Sequence, residues 1–242
     1  MRKWWRETEQ SVQLEFARVS ASGAVPIEVV AGHLHTDPGR ADDEASTDSY
    51  PRVKKMFLDE AHHREYGRPW GMGKYIFEFA VEAGLRPEHR LLDFGCGALR
   101  FGNWVIPYLD AGNYFGVEAH LPSLEAAVTY EIPLHALEQR RPRLLWNEDF
   151  AFSHFGTTFD FIVDYSSAQR VKNAARRRKA FSNFGEVLVP GGRLLTSPKP
   201  EVPADTFTEA GLTLLRRHVQ ECLLLQGHDF KSHITWFEFV AG

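Results

Sequence analysis

Residues 91–102 read LLDFGCGALRFG, an apolar run that ends on Asp93 and falls into a turn bracketed by Gly95 and Gly97. Glycines let a backbone turn tightly and pass close to a ligand, and a strand feeding such a turn is how many nucleotide sites begin. Dinucleotide sites place a third glycine where this chain has Arg100, so that a helix end can press on the pyrophosphate. A long cation at that position argues against NAD. Two more acids follow at intervals. Glu118 closes the run YFGVE, where a carboxylate suits the two hydroxyls of a ribose. In NEDF, residues 147–150, Asp149 can accept from an adenine amino group, while Phe150 offers a backbone N–H and an apolar wall. Each feature alone is an ordinary turn or a solvated loop. At successive strand ends the three point together to an adenosine-containing ligand.

Such convergence needs a sheet. Residues 90–94, 114–118, 144–146, 159–164 and the run GGRLLTS (191–197) read as strands. Helical patterns separate them at 99–109, 122–130 and 173–189, and a further helix precedes the first strand, around Tyr75, Ile76 and Phe79. Alternation of this kind predicts a doubly wound α/β fold with a mostly parallel sheet. Residues 212–219 and 233–240 read as two closing strands with no helix between them, adding an antiparallel edge. Residues 1–20 carry a weakly amphipathic helical pattern. Residues 36–50 are acidic, polar and nearly free of bulky apolar groups, which predicts a flexible loop.

In their order along the chain, LLDFGCGALRFG, YFGVE, NEDF, FDFIVDYSSAQ and FGEVLVPGGRLLTS resemble the class I S-adenosylmethionine-dependent methyltransferases, from about residue 66 to 240. The resemblance implies a seven-stranded Rossmann-like sheet whose last strand is antiparallel, and S-adenosyl-L-methionine as cofactor. It further implies that Asp93, Gly95 and Gly97 line the methionyl end, that Glu118 holds the ribose, and that Asp149 with Phe150 holds the adenine. Arg100 has no family role; it can reach the cofactor carboxylate or sit in a helix-surface ion pair. The cofactor carries no phosphate, so the missing third glycine is no obstacle.

Methyl transfer from a sulfonium asks the protein mainly to position a nucleophile, worth roughly 7–11 kcal/mol, and to take a proton where the acceptor is a hydroxyl. The fourth strand delivers Asp164, Tyr165, Ser166 and Ser167 to the mouth of the site, and the loop before the last strand delivers His228, Asp229 and Lys231. His228 is the first candidate base because imidazole titrates near neutrality, and Tyr165 the second. Ahead of the sheet, HHREYGRPWGMG reads as a lid. Tyr66 and Trp70 can shield a sulfonium through their rings, and Arg68 can meet the cofactor carboxylate or an anionic substrate. Neither His62, His63 and Glu65 nor His33, His35 and Asp37 has the spacing of a metal site, so no metal is expected. The run Arg176–Lys179 reads as a solvated outer face, away from the strand ends.

The Asp/Asn-Pro-Pro-Tyr/Phe pattern of nucleic-acid amino methyltransferases is absent, and the net charge is −4, so no nucleic-acid partner is expected. No run is apolar enough for a leader or a membrane span, and two cysteines are too few for a disulfide framework, which fits a cytoplasmic protein. The expected organisation is an N-terminal extension, 1–60, and a methyltransferase domain, 61–242. Two roles suit the extension: covering the site, or mediating a homodimer. The expected activity is methylation of a small polar molecule, with O-methylation of a sugar or metabolite hydroxyl ahead of N-methylation of an amine. A non-catalytic cofactor-binding module and an NAD-dependent oxidoreductase are the rivals from other classes.

Overall fold

LLDF is buried at all four positions and forms the centre of the sheet in a computed structural model of the chain, which describes residues 12–13, 24–28, 30–31, 72–147, 150–198, 200–222 and 233–242. The strands are β1 (Val12–Gln13), β2 (Ala24–Glu28), β3 (Val30–Ala31), β4 (Leu91–Phe94), β5 (Tyr114–Glu118), β6 (Arg143–Asn147), β7 (Phe159–Tyr165), β8 (Leu188–Ser197), β9 (Leu212–Glu221) and β10 (His233–Ala241). The helices are α1 (Lys74–Glu82), α2 (Gly102–Tyr108), α3 (Leu121–Ala126), α4 (Ile132–Leu134), α5 (Ser167–Arg170), α6 (Ala174–Val187) and α7 (Ala204–Glu209). A π-helical stretch, Ala127–Glu131, joins α3 to α4.

Eight described strands form one sheet in the order β2-β6-β5-β4-β7-β8-β10-β9. β4 through β8 run parallel, and β10 is antiparallel to both of its neighbours. The seven-stranded sheet with a reversed last strand is therefore present, as the motif order implied. An eighth strand, β2, pairs antiparallel with β6 at the opposite edge. The chain winds outward from β4 through β5 to β6, then returns to β7 on the other side of β4. That reversal leaves a crevice at the carboxyl ends of the central strands, where α/β sheets bind ligands.

Both faces of the sheet are covered, which is why its inner strands read as continuous apolar runs rather than alternating ones. On one face α1 packs Phe79 against Trp236, rings stacked at 4.8 Å. Gln220 accepts from the Trp236 indole at 2.9 Å and donates to the Tyr75 carbonyl at 2.8 Å, fixing α1 to the sheet. The other face gathers ten of the chain's 18 phenylalanines, and their edge and stacked contacts, such as Phe94 with Phe184 at 5.0 Å, tie α6 down. Across β8, β9 and β10 the buried Glu238 carboxylate accepts from Arg193 and, at 2.5 Å, from Arg216; Arg216 also reaches Glu82 of α1 at 3.2 Å.

Several local expectations change. The helix expected over 99–109 begins only at Gly102, because Leu99 adopts φ +60° and residues 98–101 form a turn. The fifth strand, expected over 191–197, starts earlier, at Leu188, and Pro190, Gly191 and Gly192 bulge within it: the β8 pairing with β7 jumps from Phe159↔Leu188 to Phe161↔Arg193. The helix expected over 173–189 spans Ala174–Val187, with Asn173 as its cap. The sequence reading missed α7 altogether. Within the span expected as an N-terminal helix, Val12–Gln13 is strand and pairs with Val30–Ala31. The loop expected over 36–50 lies outside the described residues.

Candidate functional site

β4 ends on Phe94, and the chain enters the turn with positive φ at Gly95 (+76°) and Gly97 (+55°), a conformation that side chains disfavour. Space forbids a side chain at 95 as well, since a Cβ there would collide with the Ser167 hydroxyl at the start of α5. The backbone N–H groups of Gly95 and Cys96 both donate to the Val117 carbonyl, at 2.7 and 3.0 Å. Gly97 N–H donates to Glu118 Oε2 at 2.9 Å, and His120 N–H donates to Oε1 at 2.8 Å. The Glu118 carboxylate is thus clamped at the end of β5, locking the turn after β4 to the turn after β5. Gly116, in mid-strand, leaves the space that the Cys96 side chain fills.

Asp93 sits beneath this turn, 5% exposed, accepting from the Tyr114 hydroxyl at 2.7 Å. Burial pushes its carboxyl up to about 7, against the Tyr114 hydrogen bond; Glu118 adds a smaller upward push, and Arg100 opposes it. Tyr114 keeps its proton, because burial and the neighbouring Asp93 push the phenol well up. Burial, with the Asp93 and Glu118 charges, also pushes the Cys96 thiol well above its ordinary range, so it is no nucleophile.

At the end of β7, Asp164 is buried and turned inward. Its Oδ1 accepts from the N–H groups of Ser167 and Ala168 at 2.9 and 3.0 Å, and its Oδ2 accepts from the Thr196 hydroxyl at 2.8 Å. Burial raises its carboxyl to about 6 despite those three donors. Asp164 therefore starts α5 instead of facing the mouth. Tyr165 does face it, and the Arg100 guanidinium lies 6.0 Å from its ring centroid. Burial raises the Tyr165 phenol, with the Arg100 and Arg170 cations pulling the other way.

These residues surround one cavity of about 990 Å³ at the strand ends. Asp93, Gly95, Gly97, Glu118, Phe150 and Tyr165, drawn from four separate stretches of sequence, all line it. Tyr66, Arg68, Trp70, Asp149 and His228 lie outside the described residues. Arg100 lines the cavity. Met72, Ile76 and Phe101 close its apolar side; Met72 ends the stretch expected as a lid, Ile76 belongs to α1 and Phe101 to the turn after β4.

The basic run needs a correction. Arg176 is not on an outer face: it lines the cavity, and its guanidinium lies 5.6 Å from the Phe150 ring centroid. Arg170 and Lys172 line the same wall. The helical period carries the missed signal, because Arg176 precedes Ala180 by four and Phe184 by eight, and both are fully buried. Arg178 does face outward, toward Glu209 and Asp205 of α7.

No family model matches the sequence, and no curated protein matches it significantly. Solved structures do match its fold. Magnesium protoporphyrin IX methyltransferase (ChlM) from Synechocystis PCC 6803, solved with bound SAM, is 15% identical with a TM-score of 0.57, over 82% of this chain and 100% of that one. The glycopeptide N-methyltransferase MtfA is 16% identical with a TM-score of 0.56, over 73% and 92%. The N-methyltransferase NodS from Bradyrhizobium japonicum WM9 is 18% identical with a TM-score of 0.51, over 76% and 98%. The chain has the fold of the class I S-adenosylmethionine-dependent methyltransferases.

Proposed function

We propose that this chain is an S-adenosylmethionine-dependent methyltransferase that acts on a small polar acceptor, by O-methylation of a hydroxyl. The observation that carries the reading is Glu118, clamped by the Gly97 and His120 N–H groups at the wall of the strand-end cavity. Each of its oxygens keeps acceptor capacity beyond that one bond, which suits a vicinal diol. The turn lacks the helix-end arrangement of a dinucleotide site: α2 starts only at Gly102, and Arg100 occupies the third glycine's place. On this reading Asp93, Gly95 and Gly97 take the methionyl portion, Glu118 the ribose, and Asp149 with Phe150 the adenine. Tyr66, Arg68 and Trp70 cover the site.

The bound cofactor supplies an electrophilic methyl group, so the protein's remaining work is to orient the acceptor and take its proton. Tyr165 keeps its own proton at neutral pH, because burial raises its phenol, and donates a hydrogen bond to orient the acceptor. We assign the base to His228. N-methylation is the second reading, favoured by the N-methyltransferase neighbours MtfA and NodS. An amine acceptor needs less of a base, so His228→Ala slows turnover on a hydroxyl and spares turnover on an amine. We take residues 61–242 as the catalytic domain and 1–60 as its extension. The cytoplasm suits Cys96 and Cys222, both buried and free.

S-adenosylhomocysteine provides the test. At 100 times its Kd it should stabilise the chain by about 2.7 kcal/mol in a thermal or chemical melt. Glu118→Ala should weaken its binding by about tenfold or more, the loss of charge-assisted hydrogen bonds. No stabilisation of the wild-type chain at saturating ligand overturns the reading.

A further inference from the structure

We propose that the chain forms a two-fold homodimer in which β9 pairs antiparallel with β9 of a second copy, in the register that sets Arg217 against Glu221. The two edges of the eight-stranded sheet differ in kind. β2 is five residues long and carries Pro26, the short length and proline that blunt an edge against further pairing. β9 is ten residues long, LTLLRRHVQE, has neither proline nor glycine, and pairs on its outer side with no described strand. Such an edge offers its N–H and C=O groups to another chain. Leu214, Leu215 and Val219 of β9 are 46%, 48% and 47% exposed, three of the five exposed large hydrophobics among the described residues.

The strand is held ready for pairing, so it has little freedom left to lose. On one face Arg216 bonds Glu238 and Glu82, the His218 ring stacks on Phe79 at 5.1 Å, and Gln220 bonds Trp236 and the Tyr75 carbonyl. The other face presents Arg217, Val219 and Glu221, all exposed. The β10 partners step from Arg216↔Glu238 to Leu214↔Phe239, so the strand bulges at Leu215 and runs regularly only from Arg216 to Glu221. Residues opposed across a two-fold axis normal to the sheet must share a face, so the dimer centres on one residue. Centring on Arg216 or Arg217 opposes an arginine to itself. Centring on His218 sets Glu221 against Leu215 at the bulge, and centring on Gln220 sets it against Val219. Centring on Val219 opposes the two valines and, twice by symmetry, Arg217 to Glu221. Opposite charges facing across strands favour pairing and like charges oppose it, so the charge pattern of β9 selects this register.

Sedimentation equilibrium of the full chain across a micromolar concentration series tests this. The wild-type chain should reach twice the 27.6 kDa of one copy. R217E and E221R each oppose like charges twice, and each should weaken dimerisation by at least about tenfold. R217E/E221R restores opposite charges in exchanged places and should return to within about threefold of the wild type. A wild-type chain that stays monomeric overturns the proposal. So does a dimer indifferent to both single reversals, or a double variant that stays monomeric with a wild-type circular dichroism spectrum. Slow amide exchange over Arg217–Glu221 in a monomer would give the edge to another segment of the same chain, and overturns it too. None of the described residues lining the strand-end cavity belongs to β9, so every variant should bind S-adenosylhomocysteine as the wild type does. If none binds it, the methyltransferase reading falls and the sedimentation result still decides the dimer.

Discussion

Asp93 combines burial, a hydrogen bond from Tyr114 and a place under the glycine turn, and its proton is the titration to watch. Its carboxyl is raised from 3.8 to about 7, so between those values the folded chain keeps a proton that the unfolded chain has released. The stability this contributes is complete below about pH 4 and lost as the pH rises through about 7. Ligand binding should run the other way. If the methionyl ammonium lies against Asp93, it favours the ionised form, and S-adenosylhomocysteine should bind about tenfold more tightly at pH 8 than at pH 6. Asp93→Asn should flatten that profile; an equally steep one in the variant would remove Asp93 from the contact. The neighbouring Gly95 makes a steric claim at the same scale. Gly95→Ala places a Cβ into the Ser167 hydroxyl at φ +76°, and should cost about 1–3 kcal/mol of stability together with cofactor affinity. Ser167→Gly in that background should restore part of both by removing the collision, whereas no recovery would assign the whole cost to backbone strain.

At the scale of the element, a single buried carboxylate decides how the reversed strand is held. Glu238 is 1% exposed and serves Arg193 of β8 and Arg216 of β9, while Arg216 extends to Glu82 of α1. Glu238→Gln takes the Glu238 charge from Arg193 and leaves Arg216 with Glu82 alone, and should cost roughly 2–3 kcal/mol in urea unfolding. A loss within about 0.5 kcal/mol would mean that solvent screens the cluster. Elements were legible from sequence where burial alone made them. The runs in β4, β5 and β7 announce themselves because strands covered on both faces need continuous apolar sequence. Boundaries were less legible, since they depend on tertiary partners. Leu99 at φ +60° delays α2, and the β7 pairing pulls Pro190, Gly191 and Gly192 into β8 as a bulge. The six residues of α7, ADTFTE, have too little length and too many threonines to show a helical period; burial of Thr206 and Phe207 and the Arg178 pair hold the helix in place. The cavity wall illustrates the same limit. Glycine turns and terminal acids mark its cofactor side, but Arg176 looked like surface until its phase against Ala180 and Phe184 was set by packing.

For the whole molecule, β2 adds an eighth strand to a sheet whose other seven already follow the doubly wound order. β2 pairs with β6 along its whole length, from Ala24↔Asn147 to Glu28↔Arg143, covering backbone groups that an edge strand would otherwise present to other chains. β6 also ends at the cavity: Asn147 lines it, its Oδ1 accepts from Ala151 N–H at 3.0 Å, and that bond spans the turn bearing Phe150. Holding β6 therefore holds the wall assigned to adenine. Val25→Pro with Ile27→Pro introduces two residues that cannot donate to the ladder and should detach β2. The seven-stranded core remains, so the far-ultraviolet circular dichroism should change little, while amide exchange should accelerate in Arg143–Asn147 and not in Leu91–Phe94. S-adenosylhomocysteine should bind several-fold more weakly, because Phe150 loses a fixed strand behind it. Faster exchange with unchanged affinity would make β2 an edge cover alone, and unchanged exchange would show that the pairing contributes nothing to β6 in solution.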